Sequence, residues 1–352
     1  MDLFCIKKSG TGTKTTELHV LSASSGYQEF SVQIGTVLHE TNSTFAFAVA
    51  QNGDLFAIKK SGTGTGSTEI HVLSAATAYR TFLHQGKTAL HETDETFEFE
   101  VAPNRDIVAI KKSNTGTNRT EVHILSAASN YQQFSLQTGT GLHETDDTFT
   151  FAIGANGDLF AIKKSNTGTN RTEVHILSAA SNYQQFSLQT GTALHETDET
   201  FEFEVAPNRD IVAIKKSNTG TNRTEVHILS AASNYQQFSL QTGTGLHETD
   251  DTFEFSARVS TLIAPNLSGR SAPGSSSPQH PELPLMKAIQ VTKRDSTTEV
   301  KIVPADEETI AAFATAGGTA GAALGSVIPG VGTVAGAAVG TAVGTIVGVI
   351  FG

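Results

Sequence analysis

Between residues 1 and 259 the chain consists of short runs in which apolar and polar residues alternate. Residues 96–102 read TFEFEVA, with Phe97, Phe99 and Val101 on one side and Glu98 and Glu100 on the other. That is the two-residue period of a β-strand. A tight polar turn follows, Pro103-Asn104-Arg105-Asp106 here and Gln51-Asn52-Gly53-Asp54 or Ala155-Asn156-Gly157-Asp158 in other copies. Asn-Gly between apolar runs signals a hairpin, because both residues accept positive φ. The next runs are IVAIKK, then EVHILSAA after the loop SNTGTNRT, then YQQFSLQ after a turn at Ser129-Asn130. The loop GTGLHETDD returns the chain to the first pattern. These four strands are called A to D. With Asn104-Arg105 as a two-residue turn, Phe99 lies opposite Ile110, Val101 opposite Val108 and Glu98 opposite Lys111. Apolar then meets apolar and acid meets base.

The whole unit recurs every 52 residues, at Asp2, Asp54, Asp106, Asp158 and Asp210, and residues 106–149 are identical to 210–253. A fixed period of this size, with four antiparallel strands per period, predicts the blades of an all-β propeller. Strands B, C and D occur five times from the N-terminus. Strand A occurs five times but begins at Thr44 and ends at residues 252–259. The first blade therefore lacks its A strand, and a spare A strand stands at the end of the array. Docking TFEFSARV beside DLFCIKK completes five blades and leaves no open edge. An open solenoid would need polar capping repeats, and the sequence has none. Met1 stands in mid-unit, where other copies have Gly or Arg, which suits either a natural start or the remaining part of a longer chain.

Composition narrows the function. The 352 residues carry a formal net charge of −11, which argues against nucleic-acid binding. One cysteine, Cys5, excludes an internal disulfide framework and a cysteine-rich zinc site. The N-terminus has no apolar segment of the signal-peptide kind. The expected location is thus a membrane surface on the cytoplasmic side, or one reached by non-classical export.

The stretch FEFEVAPNRDIVAIKKSNTGT and its copies resemble the FG-GAP/VCBS class of repeats, the integrin-like and fungal-lectin-like blades. The resemblance covers about residues 1–259. It implies a propeller, and in many members a calcium loop of the Asp-x-Asn-x-Asp-Gly kind between strands A and B. Here that loop is shortened, and one carboxylate with one amide falls short of the six to eight oxygens that calcium takes. Calcium is therefore a cofactor the resemblance implies and the loop argues against. Five-bladed lectins of the tachylectin type are a second comparison, but the chain has no Trp.

Topology puts the A–B and C–D turns on one rim and the longer B–C and D–A loops on the other. The second rim gathers polar side chains that suit sugar hydroxyls. In one copy these are Asn114, Asn118, Arg119, His143, Glu144 and Asp146. In the next they are Asn166, Asn170, Arg171, His195, Glu196 and Asp198, and then Asn218, Asn222, Arg223, His247, Glu248 and Asp250. Repetition suits multivalent capture of glycans or glycoproteins; the same residues also read as ordinary solvated loops. With one histidine per loop around a ring, no metal site is expected. The strand-C histidines read as satisfied packing residues. The five tyrosines, one per blade, suit packing between blades better than sugar stacking. No nucleophile–base order, metal motif or phosphate loop is present, so a protein that is not an enzyme is expected.

After residue 259 the composition changes. Residues 260–286 are rich in Ser, Pro and Gly and read as a linker. Residues 287–308 alternate about Arg294-Asp295-Ser296, a small β-hairpin. Residues 309–352 hold no charged side chain, and Gly332, Gly336, Gly340, Gly344 and Gly348 recur at a spacing of four. Small residues at that spacing line one helix face and permit close approach in lipid. Two arms of about 28–33 Å, divided at Pro329-Gly330, match a bilayer core. The expectation is an α-helical hairpin that inserts into a bilayer and self-associates. Two functions follow from the sequence: a lectin-like binding protein with a membrane-inserting tail, of the kind found in defence proteins and toxins, or a membrane-tethered scaffold for protein partners without sugar specificity.

Overall fold

A computed structural model of the chain describes residues 1–258 throughout, and beyond them the backbone of 286–294, 297–304 and 350–351. The first part is a ring of five blades, each an antiparallel sheet of four strands. Blade 1 contains β1 (Asp2–Lys7), β2 (Thr15–Leu21) and β3 (Phe30–His39). Blade 2 contains β4 (Phe45–Val49), β5 (Leu55–Lys59), β6 (Ser67–Leu73) and β7 (Phe82–His91). Blade 3 contains β8 (Phe97–Val101), β9 (Ile107–Lys111), β10 (Arg119–Leu125) and β11 (Phe134–His143). Blade 4 contains β12 (Phe149–Ile153), β13 (Leu159–Lys163), β14 (Arg171–Leu177) and β15 (Phe186–His195). Blade 5 contains β16 (Phe201–Val205), β17 (Ile211–Lys215), β18 (Arg223–Leu229) and β19 (Phe238–His247). The last strand of the array, β20 (Phe253–Arg258), returns to blade 1.

The ring closes as the strand count requires. β20 pairs antiparallel with β1, with Asp2 opposite Arg258, Cys5 opposite Phe255 and Lys7 opposite Phe253. Each A strand is innermost and meets the A strands of both neighbouring blades, β20 meeting β16 and β4. Five apolar clusters fill the five gaps between blades. The closing gap holds Leu3, Leu21, Tyr27, Val212, Ile214 and Phe255. At ~1.5–3 kcal/mol for each large apolar side chain removed from water, these clusters dominate the stability of the ring.

The A–B hairpin corrects the expected register. Phe99 lies opposite Ala109, and Glu98 opposite Ile110. The turn has three residues, not two: Arg105 N–H donates to Ala102 O at 2.8 Å and Ala102 N–H to Asp106 O at 2.9 Å. Only the last residue takes positive φ, Gly53 at 86° and Arg105 at 72°. This is a type I turn with an αL bulge, and Pro103, whose ring holds φ negative, fits its second position. With Glu98 opposite Ile110, its carboxylate meets Lys112, two residues further along the same face, whose Nζ lies 3.3 Å from Glu98 Oε1. The D strand is also longer than expected. β11 runs to His143 because a bulge between Arg119 and Glu121 keeps Gly139 and His143 in the ladder.

Beyond the propeller, β21 (Met286–Arg294) and β22 (Thr297–Pro304) pair antiparallel, with Arg294 opposite Thr297. The short β23 (Ile350–Phe351) lies against Met286 and Lys287. The linker and the helical hairpin expected at 309–352, including Gly332, Gly336, Gly340, Gly344 and Gly348, lie otherwise outside the described residues. Among the described residues no helix is long and apolar enough to cross a membrane.

Candidate functional site: an axial funnel and a polar rim

The two rims are fastened by side chains that recur in every blade. On the A–B/C–D rim the repeat aspartate accepts the first N–H of the C–D turn, for example Ala75 N–H to Asp54 Oδ1 at 2.9 Å and Ala127 N–H to Asp106 Oδ1 at 2.7 Å. The other Asp106 oxygen accepts from Asn104 Nδ2 at 2.8 Å. Both oxygens therefore face N–H donors, and the short loop does not fit the calcium that the blade resemblance implies. Among the described residues no group of three or more His, Cys, Asp and Glu side chains could hold a metal ion. The tyrosines are buried, Tyr79 at 1% exposure, and their hydroxyls donate back to the A–B turn, Tyr79 to Gly53 O at 2.9 Å. Burial pushes the Tyr235 hydroxyl up to about 12. The strand-C histidine His123 packs between Phe97 and Phe134, with Gln137 at its Nδ1, and burial holds its pKa down.

On the opposite rim, several residues expected to meet a ligand hold the loops in place. Glu144 Oε1 accepts the Thr115 N–H at 2.6 Å and its hydroxyl at 2.9 Å. Glu196 and Glu248 do the same with Thr167 and Thr219. These bonds pull the Glu144, Glu196 and Glu248 carboxyls below their usual range. Asp146, Asp198 and Asp250 accept from the N–H and hydroxyl of Thr148, Thr200 and Thr252. Asn114, Asn118, Asn166, Asn170, Asn218 and Asn222 take positive φ, which asparagine tolerates, and their side chains are exposed. His143, His195 and His247 are exposed at the ends of their strands. Arg119, Arg171 and Arg223 lie along the outer strand, with Nη1 donating to Gly141 O at 2.8 Å, Ala193 O at 2.5 Å and Gly245 O at 2.7 Å.

Arg171 lies in a groove of 580 Å³ between blades 4 and 5, with Thr169, Thr190 and Gln236. Neither Thr190 nor Gln236 stands out in the sequence, because the groove forms only when the outer strand of one blade meets the C–D turn of the next. The Gln236 amide crosses to Gly191 O, and Ala193 N–H donates to Tyr235 O at 2.8 Å. Equivalent backbone bonds join every pair of blades, closing with Gly245 N–H to Tyr27 O at 2.8 Å.

A cavity of 730 Å³ forms a funnel on the propeller axis that opens on the B–C/D–A rim. Its lining holds Lys8, Lys60 and Lys216 together with the carboxylates of Glu98, Glu202 and Glu254. In blade 3 Glu98 Oε1 is 3.3 Å from Lys112 Nζ, and Oε2 accepts the Phe151 N–H of the next inner strand at 2.9 Å. Glu202 repeats this with Lys216 at 3.1 Å and Phe255 N–H at 3.0 Å. Glu254 does so with Lys8 at 3.6 Å and Phe47 N–H at 2.7 Å. An inner strand has no further strand to bond, so these carboxylates satisfy N–H groups that would otherwise face the funnel.

Behind Glu100 and Glu204, which line the funnel, stands Arg258 of the closing strand, where blades 2 to 5 carry Ala50, Ala102, Gly154 and Ala206. Its Nη1 is 3.3 Å from Glu204 Oε2, its Nη2 3.6 Å from Glu100 Oε2, and its Nε donates to Val49 O at 2.8 Å. One guanidinium thus ties three other blades across the axis. Burial pushes the Glu204 carboxyl up to about 7 against the pull of Arg258. Burial and the charge of Glu204 push Glu100 well up.

No protein-family model matches the sequence, and no curated protein matches it. Among solved structures the chain is similar to a periplasmic gluconolactonase of Pseudomonas aeruginosa, at 11% identity and a TM-score of 0.36, over 73% of this chain and 99% of that one. It is also similar to a protein from Lactobacillus plantarum, at 11% identity and a TM-score of 0.33, over 69% of this chain. It spans 66% of that second protein, just under two thirds. The expectation of a protein without enzymatic activity is corrected here. One similar structure is named as an enzyme, so the lack of a catalytic motif does not establish that conclusion. Likeness at this level transfers no activity to the chain either.

Proposed function

We propose that the propeller is a lectin-like module whose rim captures glycans or glycoproteins at several equivalent places, and that its blades are of the FG-GAP/VCBS type. The observation that carries the reading is the groove between adjacent blades, where Arg171, Thr169, Thr190 and Gln236 line one space. Guanidinium, hydroxyl and amide groups hydrogen-bond vicinal sugar hydroxyls. The same residue types recur at Arg119, Thr117, Thr138 and Gln184, and at Arg223, Thr221, Thr242 and Gln28. The Glu–Thr fastening of the neighbouring loops lowers the ordering cost of binding. Several weak sites on one rigid ring raise avidity for a repetitive ligand.

The tail completes the reading. Residues 309–352 are uncharged and glycine-spaced, which supports insertion into a lipid bilayer, self-association through the glycine face and a membrane-associated location. A glycan panel probed with the intact chain and with the triple variant Arg119→Ala, Arg171→Ala, Arg223→Ala tests the first half. Selective binding that falls at least ten-fold in the variant is expected; no selectivity, or no difference, overturns it. Leakage of loaded liposomes by the intact chain but not by a chain ending at 308 tests the second half.

A further inference from the structure

The funnel wall carries a glutamate at one position in three blades and lacks it in the other two. In three blades a glutamate places one oxygen on a lysine and the other on the next inner strand's N–H, as Glu98 does with Lys112 and Phe151. Blade 2 keeps the lysine, Lys60, and faces Phe99 of the next strand, but residue 46 is alanine. Ala46, Lys60 and Phe99 all line the funnel. Among the described residues Lys60 has no ion-pair partner. Blade 4 repeats the substitution with Thr150 beside Lys164, but the Thr150 hydroxyl is directed to Glu98 and Lys164 does not line the cavity. The blade-2 position is therefore the open one.

We infer that the blade-2 wall of the funnel is a binding site for the carboxylate of a small hydroxylated acid, held by Lys60 and the Phe99 N–H in the place that Glu98 and Glu202 fill elsewhere. A charge-assisted pair with an ammonium and a backbone N–H is a strong carboxylate anchor. The rest of the cavity suits the hydroxylated remainder. Asn42 and Ser43 stand at the mouth, and Thr41, 8% exposed, has a hydroxyl with no partner. Phe45 and Phe97 supply apolar faces against which a sugar ring packs. The site lies on the axis, apart from the grooves between blades, and does not depend on their binding glycans.

The repeat also supplies the blocking variant. Ala46→Glu installs the side chain that blades 3 and 5 already carry, so it is compatible with the fold and is expected to melt no lower than the parent. Titration calorimetry of the intact chain with sodium glucuronate is the test, with acetate as the bare carboxylate and glucose as the uncharged control. Saturable binding of one glucuronate, weaker binding of acetate and none of glucose are expected. Glucuronate affinity falls at least ten-fold in Ala46→Glu and in Lys60→Gln, and is unchanged in Arg171→Ala. The inference is overturned if glucuronate does not bind the parent, if Ala46→Glu binds it as well as the parent, or if Arg171→Ala is the variant that loses it.

Discussion

Arg258 Nη1 stands 3.3 Å from Glu204 Oε2, inside a ring where both side chains are less than a tenth exposed. The contact spans the closing strand and blade 5, and the same guanidinium reaches Glu100 in blade 3. Deleting one partner of a buried pair leaves an uncompensated charge, which costs about 3–5 kcal/mol. Arg258→Ala is expected to lower stability by that amount at pH 8 in chemical denaturation. At pH 5, where Glu100 and Glu204 take up protons, the loss shrinks.

The same cluster sets a pH dependence. Glu204 is raised from 4.5 to about 7 in the folded ring. Between those values the folded state holds a proton that the unfolded chain has released. Stability therefore falls as pH rises from about 4.5 to 7 and levels off above. The size is about 3 kcal/mol for a shift of this extent, and Glu100 acts in the same direction. Denaturation midpoints of Glu204→Gln across pH 4.5 to 8 should show a flatter profile, with the variant gaining on the parent toward pH 8.

Asp54 is 3% exposed and holds Ala75 N–H, Asn52 Nδ2 and Arg105 Nη1 with its two oxygens. Asp54→Ala strands those donors and separates the two turns of one rim. A loss of about 2–4 kcal/mol is expected from groups of this kind, read as a lower midpoint in urea.

Tyr79→Phe removes one hydroxyl from a buried ring and leaves Gly53 O without its donor. The expected cost is about 1–2 kcal/mol, with no change in far-ultraviolet circular dichroism. A larger spectral change would mean that the hydroxyl determines the turn rather than fastening it.

The blade, its copy number and the closing strand were legible because burial imposes a two-residue period and because strand A is missing at one end and spare at the other. The hairpin register expected from Asn104-Arg105 as a two-residue turn fails, because the Asn52-Gly53 dipeptide of the equivalent turn suggests two residues of positive φ where only the second takes it. Pro103 in the equivalent turn of blade 3 carried the contrary signal. That slip conceals the funnel, since it pairs Glu98 with Lys111 instead of the buried Lys112. Arg258 carries no such signal: a single departure from Ala or Gly at the end of a repeat acquires meaning only when five inner strands meet. The groove of Arg171 and Gln236 joins residues 65 positions apart, and no local pattern relates them.

The central claim is that β20 is the inner strand of blade 1. Lys8 N–H donates to Thr252 O at 2.7 Å, which makes Lys7 and Phe253 a directly opposed, non-hydrogen-bonded pair, a spacing that a disulfide spans. The test is the variant Lys7→Cys, Phe253→Cys with Cys5→Ala, the last being the residue that the other four blades carry at this place. Peptide mapping after mild oxidation is predicted to find a monomer with residues 7 and 253 joined and no free thiol. Two free thiols, or links only between separate chains, would contradict the closed ring.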